Sequence, residues 1–173
     1  MTRDIIRTER IGPVTVIHLQ DDRALNALGS ALVAGLADAL EHAQQDPEVR
    51  AVVITGSDRA FCAGAHIPEV LALREALTAD PDAEVYLDRL FDLLAASPQP
   101  VIAAVRGLAL GGGCELALAC DLVVAGESAS FGLPEVRLGV IPGAGGTQRL
   151  VHAIGKAKAT RMLMTGESVD AAW

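Results

Sequence analysis

Short, almost wholly apolar segments separated by helical ones are the feature that most constrains the fold of this sequence. Val49 to Thr55, Val101 to Val105 and Leu122 to Ala125 have the composition of strands. Strands of this kind are typical of a sheet whose two faces are both covered, so we expect all three to be buried. Helical segments lie between the first two, at Glu69 to Thr78 and Glu84 to Ala96. Because parallel strands need such crossovers, the sequence predicts an α/β fold of mainly parallel strands.

The first part of the chain predicts a hairpin followed by an amphipathic helix. Gly12-Pro13 separates two β-rich runs between Ile5 and Leu19, as in paired strands. The helix is expected to begin near Gly29-Ser30 and to end before Asp46-Pro47. Its apolar face is marked by leucines that recur every four residues, at Leu28, Leu32, Leu36 and Leu40.

The remaining segments predict a loop from Gly56 to Gly64 and a helix between Gly155 and Gly166. A further helix is expected to begin near Ser168. The sequence stops at Trp173, within that element, and an amphipathic helix cut short leaves apolar surface uncovered. We therefore expect the chain to be a fragment of a longer one.

The composition fits one globular domain and argues against a nucleic-acid-binding protein. The 173 residues are 51% hydrophobic and 21% charged, with a formal net charge of −8. Nucleic-acid phosphates require clustered Lys and Arg, which this balance does not favour. Only 3% of the residues are aromatic. The core is therefore expected to consist of Ala, Leu, Val and Ile, which suits closely packed helices against a sheet.

The cysteines and histidines do not form a metal-binding pattern. The three cysteines are odd in number and lack zinc spacing, and the four histidines are scattered. We expect no metal site, and reduced thiols in a cytoplasmic protein. The N-terminus lacks the pattern of a signal peptide, and no apolar run is long enough to span a membrane. The cysteines are Cys62, Cys114 and Cys120, and the histidines are His18, His42, His66 and His152.

Arg106 to Glu115 contains the glycine run Gly111-Gly112-Gly113, between a buried strand and a helix predicted from Glu115 to Cys120. Each glycine costs a helix about 1 kcal/mol relative to alanine. Close approach of the backbone to a ligand explains the run, since a helix N-terminus suits a developing anion. Tight helix packing explains it equally well. The spacing matches neither a dinucleotide fingerprint nor a P-loop, and no nucleophile elbow follows.

Two glutamates, Glu115 and Glu135, lie among apolar residues near this run. Glu115 precedes Leu116-Ala117-Leu118-Ala119, and Glu135 follows Pro134. A carboxylate in such a setting is either partly buried with a raised pKa or exposed on the polar face of its helix. Proline followed by glutamate is also typical of the first turn of a helix. Alone, each glutamate fits a structural role better. Together, beside a glycine-rich helix start, they suit general acid–base chemistry.

Four segments of the sequence carry a resemblance to a known family: Arg23 to Leu28, Ala60 to Ala65, Gly107 to Asp121, and Phe131 to Leu150. In this order and spacing they resemble the crotonase superfamily, that is, the enoyl-CoA hydratase/isomerase family. The resemblance implies an α/β crotonase-like ββα spiral of mainly parallel strands with surrounding helices. It also implies that residues 1–173 are an N-terminal catalytic core, and that the family's C-terminal helical region, which closes the acyl pocket and helps to form trimers, is absent after residue 173.

The resemblance also implies a chemistry, that of a lyase of fatty-acid β-oxidation. The backbone N–H groups of Ala65 and Gly112 would hold the thioester carbonyl, where fixed donors stabilise an enolate-like oxygen. Glu115 would activate the water that attacks the β-carbon, and Glu135 would exchange the proton at the α-carbon. Both carboxylates together favour hydration of a 2-enoyl-CoA. Double-bond isomerisation, which needs only one carboxylate, and a non-catalytic acyl-CoA-binding fragment are the alternatives.

For the coenzyme A part of the substrate, the resemblance implies binding by two loops, mostly through backbone and apolar contacts. No separate cofactor is expected. The partners implied are an acyl-CoA thioester and further copies of the chain, as a homotrimer or a dimer of trimers.

The sequence departs from the family pattern at His66 and Pro68, where many hydratases have Asp and Lys. His66 is a weaker helix N-cap than Asp. Arg23 is equally well explained as a solvated surface residue. The binding residues are Arg23, Ala24, Leu25, Ala63, His66 and Ile67.

Overall fold

The computed structural model describes residues 5–80 and 85–173 and contains two sheets with helices packed around them. The strands are β1 Ile6–Ile11, β2 Val14–Leu19, β3 Ala51–Thr55, β4 Ala60–Cys62, β5 Val101–Val105, β6 Leu108–Leu110, β7 Leu122–Ala125, β8 Ser130–Gly132 and β9 Ser168–Asp170. The helices are α1 Ser30–Gln45, α2 Ile67–Ala79, α3 Asp88–Ala95, α4 Gly112–Ala119, α5 Gly146–Ile154 and α6 Lys156–Thr165, with a 3₁₀ helix at Pro134–Leu138.

From β3 to β8, consecutive strands alternate between the two sheets, which confirms the predicted ββα spiral. The larger sheet has the order β1-β2-β3-β5-β7, and the smaller has the order β4-β6-β8-β9. The pairs β2–β3, β3–β5 and β5–β7 are parallel, as are β4–β6 and β6–β8. Only the outer strands β1 and β9 run antiparallel to their neighbours in the described sheets. The predicted hairpin is therefore the antiparallel pair of β1 and β2.

The main core lies between α1, α3 and the larger sheet. Leu32, Leu36 and Leu40 of α1 are fully or almost fully buried, as the four-residue leucine spacing predicted. They meet Leu90 of α3 and Ile54 of β3 in one apolar cluster. Each buried leucine of this kind contributes about 1.5–3 kcal/mol relative to an exposed one. A second cluster joins the 3₁₀ region to α5 and α6 through Leu133, Leu150 and Met162.

Four of the local predictions were wrong. The segment from Ser168 is the strand β9, paired with β8, and not the start of a helix. β7 is not buried on both faces: it is the last strand of its sheet, so nothing pairs with its outer edge in the described chain, and Leu122 is 60% exposed. α4 begins at Gly112 rather than at Glu115, and the predicted loop from Gly56 to Gly64 contains β4.

Two helix boundaries also differ from the prediction. α2 begins at Ile67, two residues before the predicted start, because Pro68 suits the first turn of a helix. α3 begins at Asp88, and the Glu84 end of its predicted range lies outside the described residues. No described helix has both the length and the apolar character needed to cross a membrane.

The glycine run packs α4 directly onto the backbone of the smaller sheet. A Cβ at Gly113 would overlap the carbonyl oxygen of Cys62. Tight packing, one of the two explanations left open by the sequence, is therefore the reason for this glycine. It sets the distance between the start of α4 and the residues that follow β4.

We predict that Gly113→Ala lowers the free energy of unfolding by at least about 1–3 kcal/mol, because backbone must move to admit the methyl group. Urea titration measures the change. Gly143→Ala is the control, since no atom lies within 4 Å of the added Cβ, and a change within about 0.5 kcal/mol is expected there. Equal stability of the two variants would show that α4 is not seated by this contact.

Candidate active site

A glycine turn fixes the start of α4 and connects it to the segment that carries Glu135. Gly111 is the N-cap, with a φ of 52° that only glycine adopts readily. Its N–H donates to the carbonyl of Gly132 at 2.8 Å. This bond ties α4 to β8 and to the 3₁₀ helix that carries Glu135. The turn therefore brings together segments that are about twenty residues apart in the sequence.

The structure places the backbone nitrogens of Ala65 and Gly112, the two donors that the resemblance implies, close to each other. Leu28 and Ala65 form a parallel bridge, with the Leu28 N–H donating to Gly64 O at 2.8 Å and the His66 N–H donating to Leu28 O at 3.2 Å. These bonds use the carbonyl of Gly64 and the N–H of His66, the residues before and after Ala65. In a parallel bridge the residue between them directs its own N–H away from the partner strand, so the Ala65 N–H points away from Leu28. A Cβ at Gly112 would lie 3.6 Å from the Ala65 nitrogen. The Gly112 N–H is the first of α4 and has no acceptor within the helix.

Glu115 is buried, only 3% exposed, and is held by backbone N–H groups of a distant segment. Its Oε1 accepts from the N–H of Ala144 at 2.7 Å and from the N–H of Gly146 at 2.8 Å. Gly146 is the first residue of α5, so the carboxylate lies at the positive end of that helix. A Cβ at Gly146 would lie 2.9 Å from Oε1. Both donors engage the same oxygen, and Oε2 makes no hydrogen bond within the described part of the chain.

Glu135 is half-buried in the first turn of the 3₁₀ helix, after Pro134, as predicted. Its Oε2 is shielded from solvent and lacks a hydrogen-bond partner among the described residues. A Cβ at Gly111 would lie 3.0 Å from its Oε1. Burial raises the pKa of Glu135, and the negative charge of Glu115 raises it further. Glu135 therefore lies beside the glycine turn that starts α4, and it interacts electrostatically with Glu115 of that helix.

The two segments predicted to bind coenzyme A also lie side by side. The N–H of Ala63 donates to the carbonyl of Leu25 at 3.0 Å. The N–H of Ala24 donates to Oδ1 of Asp21 at 3.2 Å, which closes the turn around Arg23. The Arg23 side chain is exposed. The predicted Arg23-Ala24-Leu25 loop is therefore joined to the Ala63–Ala65 segment by a backbone hydrogen bond.

His66 and Ile67 lie at the start of α2, on the far side of Ala65. His66 is the N-cap residue, and its side chain makes no capping hydrogen bond. Its Nδ1 lies 3.1 Å from Oε1 of Glu69. The other oxygen of Glu69 accepts the N–H of Ser30 at 2.6 Å, at the start of α1, and this bond lowers the pKa of Glu69. Ile67 is 49% exposed, so part of an apolar side chain faces solvent two residues after Ala65, the predicted N–H donor.

Sequence reasoning missed Asn26 and the segment that holds Glu115. Asn26 is completely buried with a positive φ of 56°, and its Nδ2 donates to the carbonyls of Ala60 at 3.0 Å and Phe61 at 3.1 Å. An asparagine tolerates this backbone conformation better than most residues, but nothing in its neighbours predicted the clamp. The donors to Glu115 are backbone groups, so the only sign of them is the glycine-rich run around Ala144.

The cysteines are free and buried, and they are not the reactive groups of this site. Burial raises the pKa of Cys62, Cys114 and Cys120 to about 12 in each case. A thiol in that state is a poor nucleophile near neutral pH. Within residues 5–80 and 85–173, no three His, Cys, Asp or Glu side chains are grouped closely enough to hold a metal ion.

The chain is similar to known proteins in its sequence. Residues 9–172 match the family model described as enoyl-CoA hydratase/isomerase. The chain is 48% identical to the probable enoyl-CoA hydratase echA8 of Mycobacterium bovis, over 99% of this chain and 65% of that protein. It is also 48% identical to the 2,3-dehydroadipyl-CoA hydratase of Escherichia coli, over 91% of this chain and 60% of that protein. The chain thus spans less than two thirds of the length of these curated relatives.

Solved structures of similar fold carry the same description. An enoyl-CoA hydratase from Bacillus anthracis superposes with a TM-score of 0.87 at 39% identity, covering 98% of this chain and 66% of that one. An enoyl-CoA hydratase subunit I from Geobacillus kaustophilus superposes with a TM-score of 0.86 at 44% identity, covering 97% of this chain and 64% of that one.

We predict that Glu135→Gln raises the free energy of unfolding near neutral pH. The pKa of Glu135 is higher in the folded chain than in the unfolded one, so its carboxylate form destabilises the fold above the folded pKa. The difference from wild type should disappear below about pH 4.3, where glutamate is protonated in both states. Urea titrations across this pH range measure it. Glu127→Gln, at an exposed position, is the matched control. A loss of stability that is the same at all pH values would contradict the prediction.

Proposed function

The chain belongs to the enoyl-CoA hydratase/isomerase family, and from this premise we propose that it catalyses the reversible addition of water to the 2,3 double bond of a 2-enoyl-CoA thioester. The observation that carries the proposal is the meeting of four groups at the start of α4: Glu135 lies beside its glycine turn and interacts with Glu115 of the same helix, and the unpaired N–H of Gly112 lies near that of Ala65. A hydratase needs one group to accept a proton from water, another to supply a proton to carbon, and donors for the thioester oxygen.

In the proposed reaction the thioester oxygen accepts hydrogen bonds from the N–H groups of Ala65 and Gly112. The water oxygen forms a bond to the β-carbon while its proton passes to Glu115, and the electron pair of the double bond moves towards the thioester oxygen. The resulting enolate is stabilised by the two donors and by the positive end of α4. Its α-carbon then takes a proton from Glu135. Glu115 releases its proton and Glu135 regains one, directly or through solvent, so that the net change is the addition of one water.

The environments of the two carboxylates support separate roles. Burial raises the pKa of Glu135, which favours its protonated, proton-donating form. Glu115 has one oxygen fixed by two N–H groups and the other without a partner in the described chain, as an acceptor for a water proton requires. Two carboxylates in such different surroundings suit one acid and one base.

For substrate binding, we propose that the coenzyme A part lies along the two adjoining segments. Arg23, Ala24 and Leu25 would contact it from one side, and Ala63, His66 and Ile67 from the other. The hydrogen bond between Ala63 and Leu25 supports this, because it makes one continuous surface that ends at Ala65. A homotrimer or dimer of trimers stays a prediction from the resemblance, and a cytoplasmic location stays a prediction from the cysteine pattern.

We predict that the chain hydrates crotonyl-CoA and that Glu115→Gln lowers kcat by about 10²–10⁴-fold, the usual contribution of a positioned acid or base. Loss of the enoyl thioester absorbance measures hydration. Glu115→Gln should retain exchange of the α-protons of butyryl-CoA in heavy water, whereas Glu135→Gln should lose both activities. The matched control, Glu127→Gln, should retain both because it lies outside the site.

Other outcomes separate the alternative functions. An isomerase that depends on Glu135 alone would keep its activity in Glu115→Gln. A folded wild-type chain that binds crotonyl-CoA and neither hydrates nor isomerises it would be a binding fragment, and the proposed function would be wrong for this chain.

A further inference from the structure

We propose that Arg149 is a positioning residue for the reaction, which orients Glu115 by holding the Ala144–Gly146 segment in place. The inference rests on the proposed function, in which Glu115 accepts a proton from water. Arg149 lies on α5 and is half-buried. No ion pair joins it to Glu115 in the described part of the chain, so its effect must pass through the backbone between them.

Arg149 contacts Ala144, the residue whose N–H binds Glu115. Its Nη1 donates to the carbonyl oxygen of Ala144 at 2.8 Å. The N–H of Ala144 donates to Oε1 of Glu115 at 2.7 Å. Ala144 is therefore held at both ends, by the guanidinium on one side and by the carboxylate on the other. A rotation of this residue would break both bonds.

The segment needs such an anchor because it is rich in glycine. Gly143, Gly145 and Gly146 surround Ala144, and glycine has the largest backbone freedom of any residue. Gly145 adopts a φ of 96°, and a Cβ there would overlap Nη1 of Arg149. The guanidinium thus occupies the space beside Gly145, and this packing restricts the conformations that the segment can adopt.

Phe91 supports the guanidinium from another element. Its ring lies 5.8 Å from Cζ of Arg149, within the range of a cation–π contact, and it belongs to α3. A planar guanidinium can stack on a ring and donate to a carbonyl at the same time, whereas a lysine ammonium cannot reproduce both contacts. The position therefore requires arginine rather than any cation.

The first test measures the segment itself and does not depend on turnover. Amide hydrogen exchange at Ala144 and Gly146 is compared in wild type, Arg149→Lys and Arg149→Met. We expect exchange of these two amides to accelerate by about tenfold or more in both variants, because the bonds to Glu115 open more often. The matched control is Arg161→Met, an exposed arginine on the next helix that pairs with Glu167. Exchange at Ala144 and Gly146 should not change there.

The second test asks whether Arg149 acts through Glu115. A displacement of about 1 Å is enough to cost about 10²-fold in rate, so we expect Arg149→Met to lower the kcat for hydration by about that factor. KM should stay within about threefold, since substrate contacts are unchanged. The double variant with Glu115→Gln should be no slower than Glu115→Gln alone. Exchange of the α-protons of butyryl-CoA, which uses Glu135, should persist.

The outcomes separate this inference from the proposed function. Unchanged amide exchange in Arg149→Lys and Arg149→Met would overturn the positioning role, whatever the kinetics. So would additive losses in the double variant, or equal losses of hydration and α-proton exchange. If the wild-type chain does not hydrate crotonyl-CoA, the proposed function fails, and the amide measurement still decides whether Arg149 holds the segment. If Arg149→Met does not fold, Arg149→Lys decides both tests.

Discussion

The close contact between the start of α4 and the backbone after β4 is the constraint on which the site depends. Gly113 leaves no room for a side chain against Cys62, and a Cβ at Gly112 would be in van der Waals contact with the Ala65 nitrogen, at 3.6 Å. Because α4 is seated this deeply, its first free N–H lies near that of Ala65, and Glu115 enters the core one helical turn from its N-terminus. A bulkier residue at Gly113 would push α4 away from Cys62 and so separate the two donors. The donor pair is therefore a consequence of packing rather than of any polar side chain.

A second organising feature is that carboxylates satisfy the N-termini of helices to which they do not belong. Glu115 of α4 accepts the first N–H of α5, and Glu69 of α2 accepts the first N–H of α1. In both cases the N-cap is a glycine without a side-chain cap, at Gly145 and Gly29. Such pairing ties distant elements together and favours the charged acceptor at the positive end of the helix. It also makes the orientation of Glu115 depend on the conformation of the segment before α5.

The sequence predicted the elements that have a strong local pattern. The leucine spacing located α1, and the apolar runs located β3 and β5. The three-residue strands β4, β6 and β8 are too short to show any alternation, and β9 was mistaken for a helix start for the same reason. The composition of β7 indicates a strand but cannot reveal that the strand ends its sheet, where Leu122 is exposed. At the site, the resemblance identified the two glutamates and the donor pair. Local patterns could not predict the donors to Glu115 or the clamp by Asn26, because these depend on chain segments that meet only in the fold.

We propose that the packed start of α4 and Ala65 together hold a thioester carbonyl. The most direct test is the ¹³C resonance of butyryl-CoA labelled at the carbonyl carbon, measured free and bound to the chain. Two hydrogen bonds to the oxygen polarise the carbonyl, so we expect the resonance of the bound thioester to move downfield from its position in water. A bound thioester whose carbonyl resonance is the same as in water would contradict this donor role.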